Sequence, residues 1–153
     1  MNPVPLATAF DGGRLHCDVV VVGSGAGGAV AAAELAEAGL SVVVLEEGPY
    51  RPTETFTHDD LAMVRSLYRD GGVTATLGSP PIVYNEGRCV GGSTVVNGGM
   101  AFRAPDRVLD GWERDHAMPG LSAELEPWFE RIEALLSVSN QDAGSIGRDQ
   151  ELV

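Results

Sequence analysis

The strongest contrast between apolar and polar stretches lies in the segment from Cys17 to Glu46. Residues 17–22 form a short, mostly β-branched apolar run, which is typical of a parallel strand buried on both faces. After a glycine-rich turn, small apolar residues from Ala29 onward predict a helix, and residues 41–45 predict a second buried strand. The pattern therefore predicts the α/β fold class, with a strand–helix–strand (βαβ) unit near the start of the chain.

Gly23, Gly25 and Gly28 form a G-x-G-x-x-G motif where the strand period gives way to the helix period. Gly23 permits a tight turn, Gly25 lets backbone N–H groups approach a pyrophosphate, and Gly28 lets the helix pack closely on the strand. The helix N-terminus attracts phosphates, and the loop residues Ser24 and Ala26 are counted with this site. Such glycines can serve packing alone, but the flanking elements favour a Rossmann-like, FAD/NAD(P)-binding unit.

Glu46 stands at the end of the second predicted strand, about 20 residues beyond the glycines. An acidic residue in this place accepts hydrogen bonds from the ribose of an adenosine, and it repels a 2′-phosphate. The motif therefore indicates a dinucleotide such as FAD or NAD and argues against NADP.

Apolar residues at helical spacing predict additional helices later in the chain, and two short apolar segments predict strands. The predicted helices begin at Thr57 or His58, at Pro105 and after an N-cap at Ser122, and the predicted strands cover residues 74–77 and 82–84. The last helix has the clearest amphipathic pattern, and its aromatic residues Trp128 and Phe129 are expected in the core.

A second glycine-rich stretch covers residues 85–100, NEGRCVGGSTVVNGGM. Backbone N–H groups around Gly91, Gly92 and Ser93 can form a second anion cradle that leads into a short helix, and Arg88 adds a cation. One phosphate loop suits NAD, whereas two on one chain suit a larger flavin dinucleotide whose pyrophosphate is held from both sides. Taken alone, the stretch is equally consistent with an ordinary glycine-rich turn.

Together, the two stretches resemble the N-terminal part of the glucose–methanol–choline (GMC) oxidoreductases, a family of FAD-dependent alcohol oxidases and dehydrogenases. The matching segments are DVVVVGSGAGGAVAAAELAEAG with VVVLEEGPY, and GRCVGGSTVVNGGMAFRAP. The resemblance extends from Cys17 to about Val138 and therefore covers most of the chain.

The resemblance implies a role in FAD binding for residues of both stretches. The pyrophosphate would contact Gly23, Gly25, Gly28, Arg88, Gly92 and Ser93, the adenosine ribose would contact Glu46, and the isoalloxazine ring would lie near Asn97 and Gly98. Some members bind the flavin covalently through a histidine immediately before the asparagine of the second stretch. Val96 occupies that position here and has no nucleophile, so we expect non-covalent FAD.

The resemblance also implies oxidation of an alcohol CH–OH group by hydride transfer to N5 of the flavin. The family's catalytic histidine and substrate domain lie in later sequence, and none of His16, His58 and His116 matches that histidine. We therefore assign no catalytic residue and expect the chain to be inactive alone. The expected organisation is a flexible lead-in (residues 1–16), an incomplete FAD-binding domain (17–139) and a polar tail (140–153).

Two alternative functions stay open at this stage. The chain can be an FAD- or nucleotide-binding module that a partner chain completes, and the family's C-terminal part is the candidate for that partner. It can also be an NAD-dependent Rossmann protein, although such folds have no use for a second cradle of this composition.

Composition narrows the class of protein further. With 44% hydrophobic and 21% charged residues, the chain is typical of soluble globular proteins, and no apolar run reaches the length of a membrane span. A net charge of -12 argues against binding to nucleic acid or to an anionic membrane, because both need a basic face. Cys17 and Cys89 have no metal-ligand spacing, which favours reduced thiols in a cytoplasmic protein and predicts no metal site.

Overall fold

The computed structural model describes residues 13–145 and 147. The chain divides into two compact units, Met1–Gly98 (unit 1) and Gly99–Val153 (unit 2). Both contain helices in their described parts and unit 1 also contains strands, so the predicted α/β class is confirmed. Residues 1–12 of the predicted lead-in, and residues 146 and 148–153 of the predicted tail, lie outside the described part of the chain.

Unit 1 begins with two parallel strands that are connected through a helix. Strand β1 (Val19–Val22) pairs with strand β2 (Val42–Leu45), and helix α1 (Ala26–Glu37) lies between them in sequence. The register pairs each residue of β1 with one residue of β2. Just beyond β1, the N–H group of Gly23 donates to the carbonyl of Leu45 (2.7 Å), which holds the start of the glycine-rich turn against the end of β2.

Both strands begin later than residues 17 and 41, where the sequence pattern starts them. The Ser41 hydroxyl donates to Asp18 Oδ2 at 2.6 Å, and the backbone N–H of each of these residues donates to the side chain of the other. This Asp18–Ser41 pair joins the two chain segments side by side immediately before the regular ladder. The regular strands therefore begin only after this polar pair, at Val19 and Val42.

The prediction that both strands are buried on both faces is wrong for this structure. Val22 is 82% exposed, and Val20 and Leu45 are each 53% exposed. Within the described residues the sheet consists of these two strands, so their apolar side chains lack the further strands that cover such positions in larger parallel sheets.

The rest of unit 1 contains a short helix and a small hairpin. Helix α2 covers Asp60–Leu67, and strand β3 (Thr74–Ala75) pairs antiparallel with strand β4 (Val83–Tyr84). The predicted start of α2 at Thr57 or His58 is wrong, because Asp59 is the N-cap. Its carboxylate accepts a hydrogen bond from the N–H of Ala62 (3.0 Å) and so satisfies a free donor of the first turn.

Unit 2 contains two packed helices, α3 (Asp106–Asp115) and α4 (Leu121–Leu136). The predicted N-cap at Ser122 is wrong, because the N-cap is Gly120, two residues earlier, in a left-handed conformation (φ +82°). The N–H of Ser122 donates to Glu113 Oε1 of α3 (2.8 Å), so a carboxylate from the neighbouring helix satisfies this donor.

The aromatic residues of α4 lie nearer the surface than predicted. Trp128 is 52% exposed, so its predicted place in the core is wrong for this structure. Phe129 is partly buried beneath the guanidinium of Arg103, which lies 5.6 Å from the ring centroid. The same guanidinium donates to both carboxylate oxygens of Glu133 (2.7 Å each) and to Glu126 (2.6 Å). A charged cluster therefore covers part of the apolar face of this helix.

Candidate functional site

The two glycine-rich stretches of the sequence lie against each other in unit 1. We call residues 23–28 the first glycine loop and residues 87–94 the second glycine loop. A Cβ atom added to Gly92 would lie 3.0 Å from Cα of Gly25, so the two backbones are in close contact. The N–H of Gly91 donates to the Ser24 hydroxyl (2.9 Å), which links residues that are 67 positions apart. The two predicted anion cradles thus lie side by side, and the Gly91 N–H of the second is engaged within the protein.

Glu46 follows the last residue of β2 and accepts hydrogen bonds from the first glycine loop and from its own chain segment. Its Oε2 accepts from the backbone N–H (2.9 Å) and the hydroxyl (2.6 Å) of Ser24, and its Oε1 accepts from the N–H of Gly48 (2.8 Å). Burial alone would raise the pKa of this carboxyl group. The hydrogen bonds from Ser24 and Gly48 outweigh burial and hold the pKa below its ordinary value. Glu46 is therefore an ionised acceptor at neutral pH.

This low pKa predicts a contribution of Glu46 to stability that depends on pH. Because the folded-state pKa lies below the unfolded value, the contribution is complete above the ordinary pKa and is lost as pH falls through the folded-state pKa. We expect acid to lower the free energy of unfolding less in Glu46→Gln than in the native chain. Urea unfolding of both proteins between about pH 7 and about pH 3 measures the difference. Equal acid sensitivity of the two proteins would contradict the expected linkage.

The start of helix α1 has the features of an anion cradle. Its N-cap is Gly25 (φ -67°, ψ -173°), no side chain caps the free N–H groups, and the first turn has no acidic residue. A Cβ atom added to Gly25 would have no heavy atom within 4 Å, so open space lies in front of this backbone. Free donors, the helix dipole and this open space together fit a phosphate group.

Tight backbone contacts hold the second glycine loop beside the end of β2. A Cβ atom added to Gly48 would overlap the backbone of Arg88 and Cys89, and the N–H of Val90 donates to the carbonyl of Pro49 (3.1 Å). Sequence analysis did not single out Gly48. Its position shows that this glycine is needed for the close approach of two segments that are distant in sequence.

Arg88 takes part in an ion-pair cluster. Its Nε lies 3.2 Å from Glu47 Oε2, and Arg69 pairs with both Glu47 and Glu86. Hydrogen bonds from Arg69, and then from Arg88, lower the pKa of the Glu47 carboxyl group. The side chain of Arg88 is 49% exposed, so it is accessible from solvent. The cluster joins the residue after Glu46, the second residue after α2 and the start of the second glycine loop.

Asn97 lines an open cleft of about 410 Å³ in unit 1. The cleft is lined by Tyr68, Asn85, Ser93, Thr94, Val96 and Asn97. Ser93 and Asn97 are predicted site residues, whereas sequence analysis singled out neither Tyr68 nor Asn85. Neither residue belongs to a short motif that points to a site. Both line the cleft only because the fold brings their chain segments to it. Gly98 has no atom within 4 Å of an added Cβ and lies at the end of unit 1.

The remaining candidate residues have no catalytic setting in the described part of the chain. His16, His58 and His116 are all exposed. Burial, followed by the charge of Glu46, raises the pKa of the Cys89 thiol, which favours the protonated form. Among residues 13–145 and 147, no group of three or more His, Cys, Asp or Glu side chains is placed to hold a metal ion. No helix in the same residues is long and apolar enough to cross a membrane.

Two family profiles match the chain, one over each glycine loop. The sequence profile of an FAD binding domain matches residues 18–57, which contain the first glycine loop and Glu46. The profile of the GMC oxidoreductase family matches residues 64–152, which contain the second glycine loop. The second match covers more than half of the chain. The chain belongs to the GMC oxidoreductase family.

Individual relatives agree with this membership. A GMC-type oxidoreductase of Mycobacterium tuberculosis is 51% identical over 142 residues, which are 90% of this chain and 22% of the relative. A GMC-type oxidoreductase of Sinorhizobium fredii is 38% identical over 141 residues, which are 92% of this chain and 28% of the relative. A long-chain-alcohol oxidase of Arabidopsis thaliana is 44% identical over 99 residues, 65% of this chain and 13% of the relative. The chain thus spans less than a third of each of these relatives, and no solved structure matches it.

Proposed function

We propose that the two glycine loops bind FAD non-covalently and that the chain is the FAD-binding part of an oxidoreductase that acts on an alcohol CH–OH group. The observation that carries the proposal is the contact between the loops, with Gly92 against Gly25 and open space in front of Gly25. A dinucleotide pyrophosphate in that space would meet the free N–H groups at the start of α1 and lie beside the second glycine loop, whose Gly91 and Gly92 N–H groups donate to the Ser24 hydroxyl and to the carbonyl of Cys89 (2.8 Å). A single loop at a helix N-terminus would not provide this two-sided site.

The first glycine loop and Glu46 would hold the ADP half of the cofactor. Gly23 and Gly28 shape the turn, while Gly25 and Ala26 offer N–H groups to the pyrophosphate. The Glu46 carboxylate has about four acceptor positions, and bonds from Ser24 and Gly48 use three of them. The remaining position, on Oε1, is available for one hydroxyl group of the adenosine ribose.

The second glycine loop and the cleft would hold the pyrophosphate from the other side and the flavin. Gly91, Gly92 and Ser93 form a tight turn, and Arg88 provides an accessible cation close by. The Ser93 hydroxyl accepts from the N–H of Gly87 (3.0 Å) and retains a proton that it can donate. In this proposal the phosphates lie along this turn.

Asn97 and Gly98 would lie beside the isoalloxazine ring. Asn97 lines the cleft, and its amide group can both donate and accept hydrogen bonds. Val96 also lines the cleft and has no nucleophilic atom, which supports non-covalent binding. Bound FAD supplies a two-electron acceptor, and the chain's own residues here bind and orient it.

The alcohol-oxidising activity is proposed for the whole protein rather than for this chain alone. The name of the long-chain-alcohol oxidase relative supports an alcohol substrate, and the exposed histidines provide no catalytic base. The exposed side chains of Val20, Val22 and Leu45 support a Rossmann-like domain that further strands complete. These strands can belong to the same polypeptide or to a partner chain. An NAD-binding role is less well supported, because it leaves the second glycine loop without a ligand.

A flavin-retention experiment tests the proposed function. We expect the purified chain, after incubation with FAD and desalting, to keep the visible absorbance of bound flavin. Acid denaturation should release all of this flavin into the filtrate, because no covalent bond is formed. A parallel titration with NAD is the control. Binding of NAD without FAD by the folded chain would overturn the proposal in favour of a nicotinamide-binding protein.

A further inference from the structure

We propose that Ser24 is a positioning residue whose hydroxyl group couples Glu46 to the second glycine loop, so that the ribose acceptor and the second phosphate cradle form together. This inference rests on the proposed FAD site. Sequence analysis counts Ser24 only among the cofactor-binding residues, whereas this inference gives it a role within the protein. The residue is 9% exposed and so lies largely out of reach of a ligand in the open space before Gly25.

The direction of the two hydrogen bonds of the hydroxyl group is fixed by its partners. Glu46 is ionised at neutral pH and can only accept, so the Ser24 proton points to Oε2 (2.6 Å). The N–H of Gly91 can only donate, so it uses a lone pair of the same oxygen (2.9 Å). The position therefore requires one group that donates to a carboxylate and accepts from an amide at once. Alanine provides neither function.

Removal of the hydroxyl group would affect the two partners unequally. Glu46 would keep the backbone N–H of residue 24 and the N–H of Gly48, so two donors would still orient its carboxylate. Gly91 would lose the acceptor that joins its loop to the first glycine loop. We therefore expect Ser24→Ala to loosen the second loop and to weaken FAD binding about tenfold, as expected for a partly buried donor left without its acceptor.

The chain contains a matched control at the opposite end of the same strands. The hydroxyl of Ser41 donates to Asp18 Oδ2 at 2.6 Å and accepts from the N–H of Asp18 at 2.9 Å. Ser41 thus makes the same kind of hydroxyl-centred bridge between two segments. It lies before β2, whereas the site lies after β1 and β2. Ser41→Ala removes an equivalent bridge without touching either glycine loop.

Two readouts on the full 153-residue chain test the inference. Equilibrium titration gives the Kd for FAD of the native chain, Ser24→Ala and Ser41→Ala. Amide hydrogen exchange, followed by NMR, reports on the Gly91 N–H directly. We expect about tenfold weaker FAD binding and faster Gly91 exchange in Ser24→Ala, with neither change in Ser41→Ala.

Each outcome decides the question. Native affinity in Ser24→Ala, or equal losses in both variants, would overturn the coupling. If the native chain binds no FAD, the proposed function fails, but hydrogen exchange of the Gly91 N–H still tests the coupling. Faster exchange in Ser24→Ala alone would support the coupling, and unchanged exchange would refute it. If Ser24→Ala does not fold, Ser24→Cys keeps nearly the same volume with a much weaker donor and acceptor, and it is judged by the same two readouts.

Discussion

Replacement of Gly28 by alanine is expected to destabilise unit 1 by about 3 kcal/mol and to abolish flavin retention. The added Cβ would overlap the carbonyl oxygen of Gly23 and lie 3.0 Å from its carbonyl carbon and 3.3 Å from Val21 Cγ1. Two of these atoms are backbone, and Gly23 is itself held by its hydrogen bond to Leu45 (2.7 Å). The helix would have to move away from β1, and its N-terminus would no longer face the second glycine loop.

Gly27→Ala is the matched control, because it adds the same methyl group one residue earlier on the same turn of α1. A Cβ atom at Gly27 would have no neighbour within 4 Å. Alanine is also the better helix former, so Gly27→Ala should leave the free energy of unfolding unchanged or slightly higher. Urea unfolding of both variants, with circular dichroism as the probe, measures the difference. Equal stability of the two variants would show that the close approach of α1 to β1 is not required.

The local elements of this site are visible in the sequence because each is encoded by neighbouring residues. The order of β1, α1 and β2 follows from the apolar run before Gly23, the glycine spacing and the acidic residue Glu46. The predicted boundaries of these elements lie within a few residues of the observed ones. The family membership followed from the same two stretches and is confirmed. Hydrophobic periodicity and turn chemistry act over a few residues, so they are readable without a structure.

The connections between distant segments could not be predicted in this way. The hydrogen bond from Gly91 to Ser24 and the contact of Gly48 with Cys89 join segments that only the folded chain brings together. Sequence analysis therefore counts Ser24 among the cofactor-binding residues, although its hydroxyl is directed to Glu46. The prediction of Ser122 as an N-cap failed for the same reason, because the N–H of Ser122 donates to a carboxylate of another helix.

The three glycines of the first motif have different surroundings, although the motif alone treats them alike. Gly23 has a positive φ (+91°) that other residues rarely adopt, and Gly28 has no room for a side chain. Gly25 has neither constraint: its backbone angles suit any residue, and the space beside it is open. Within residues 13–145 and 147, nothing in the fold therefore requires glycine at position 25. A ligand that fills the open space would explain the residue.

Gly25→Ala should therefore separate binding from folding. We expect an unchanged free energy of unfolding, because the new methyl group contacts no atom of the described chain. We expect FAD affinity to fall by roughly a hundredfold, the effect of forcing one methyl group into a well-packed contact with the pyrophosphate. Gly27→Ala again serves as the control, and flavin titration with parallel urea unfolding gives both quantities. If Gly25→Ala binds FAD as tightly as the native chain, the pyrophosphate does not lie against this backbone. The cofactor would then have to enter from the cleft side of the second glycine loop, and the assignment of the first loop as a phosphate site would be wrong.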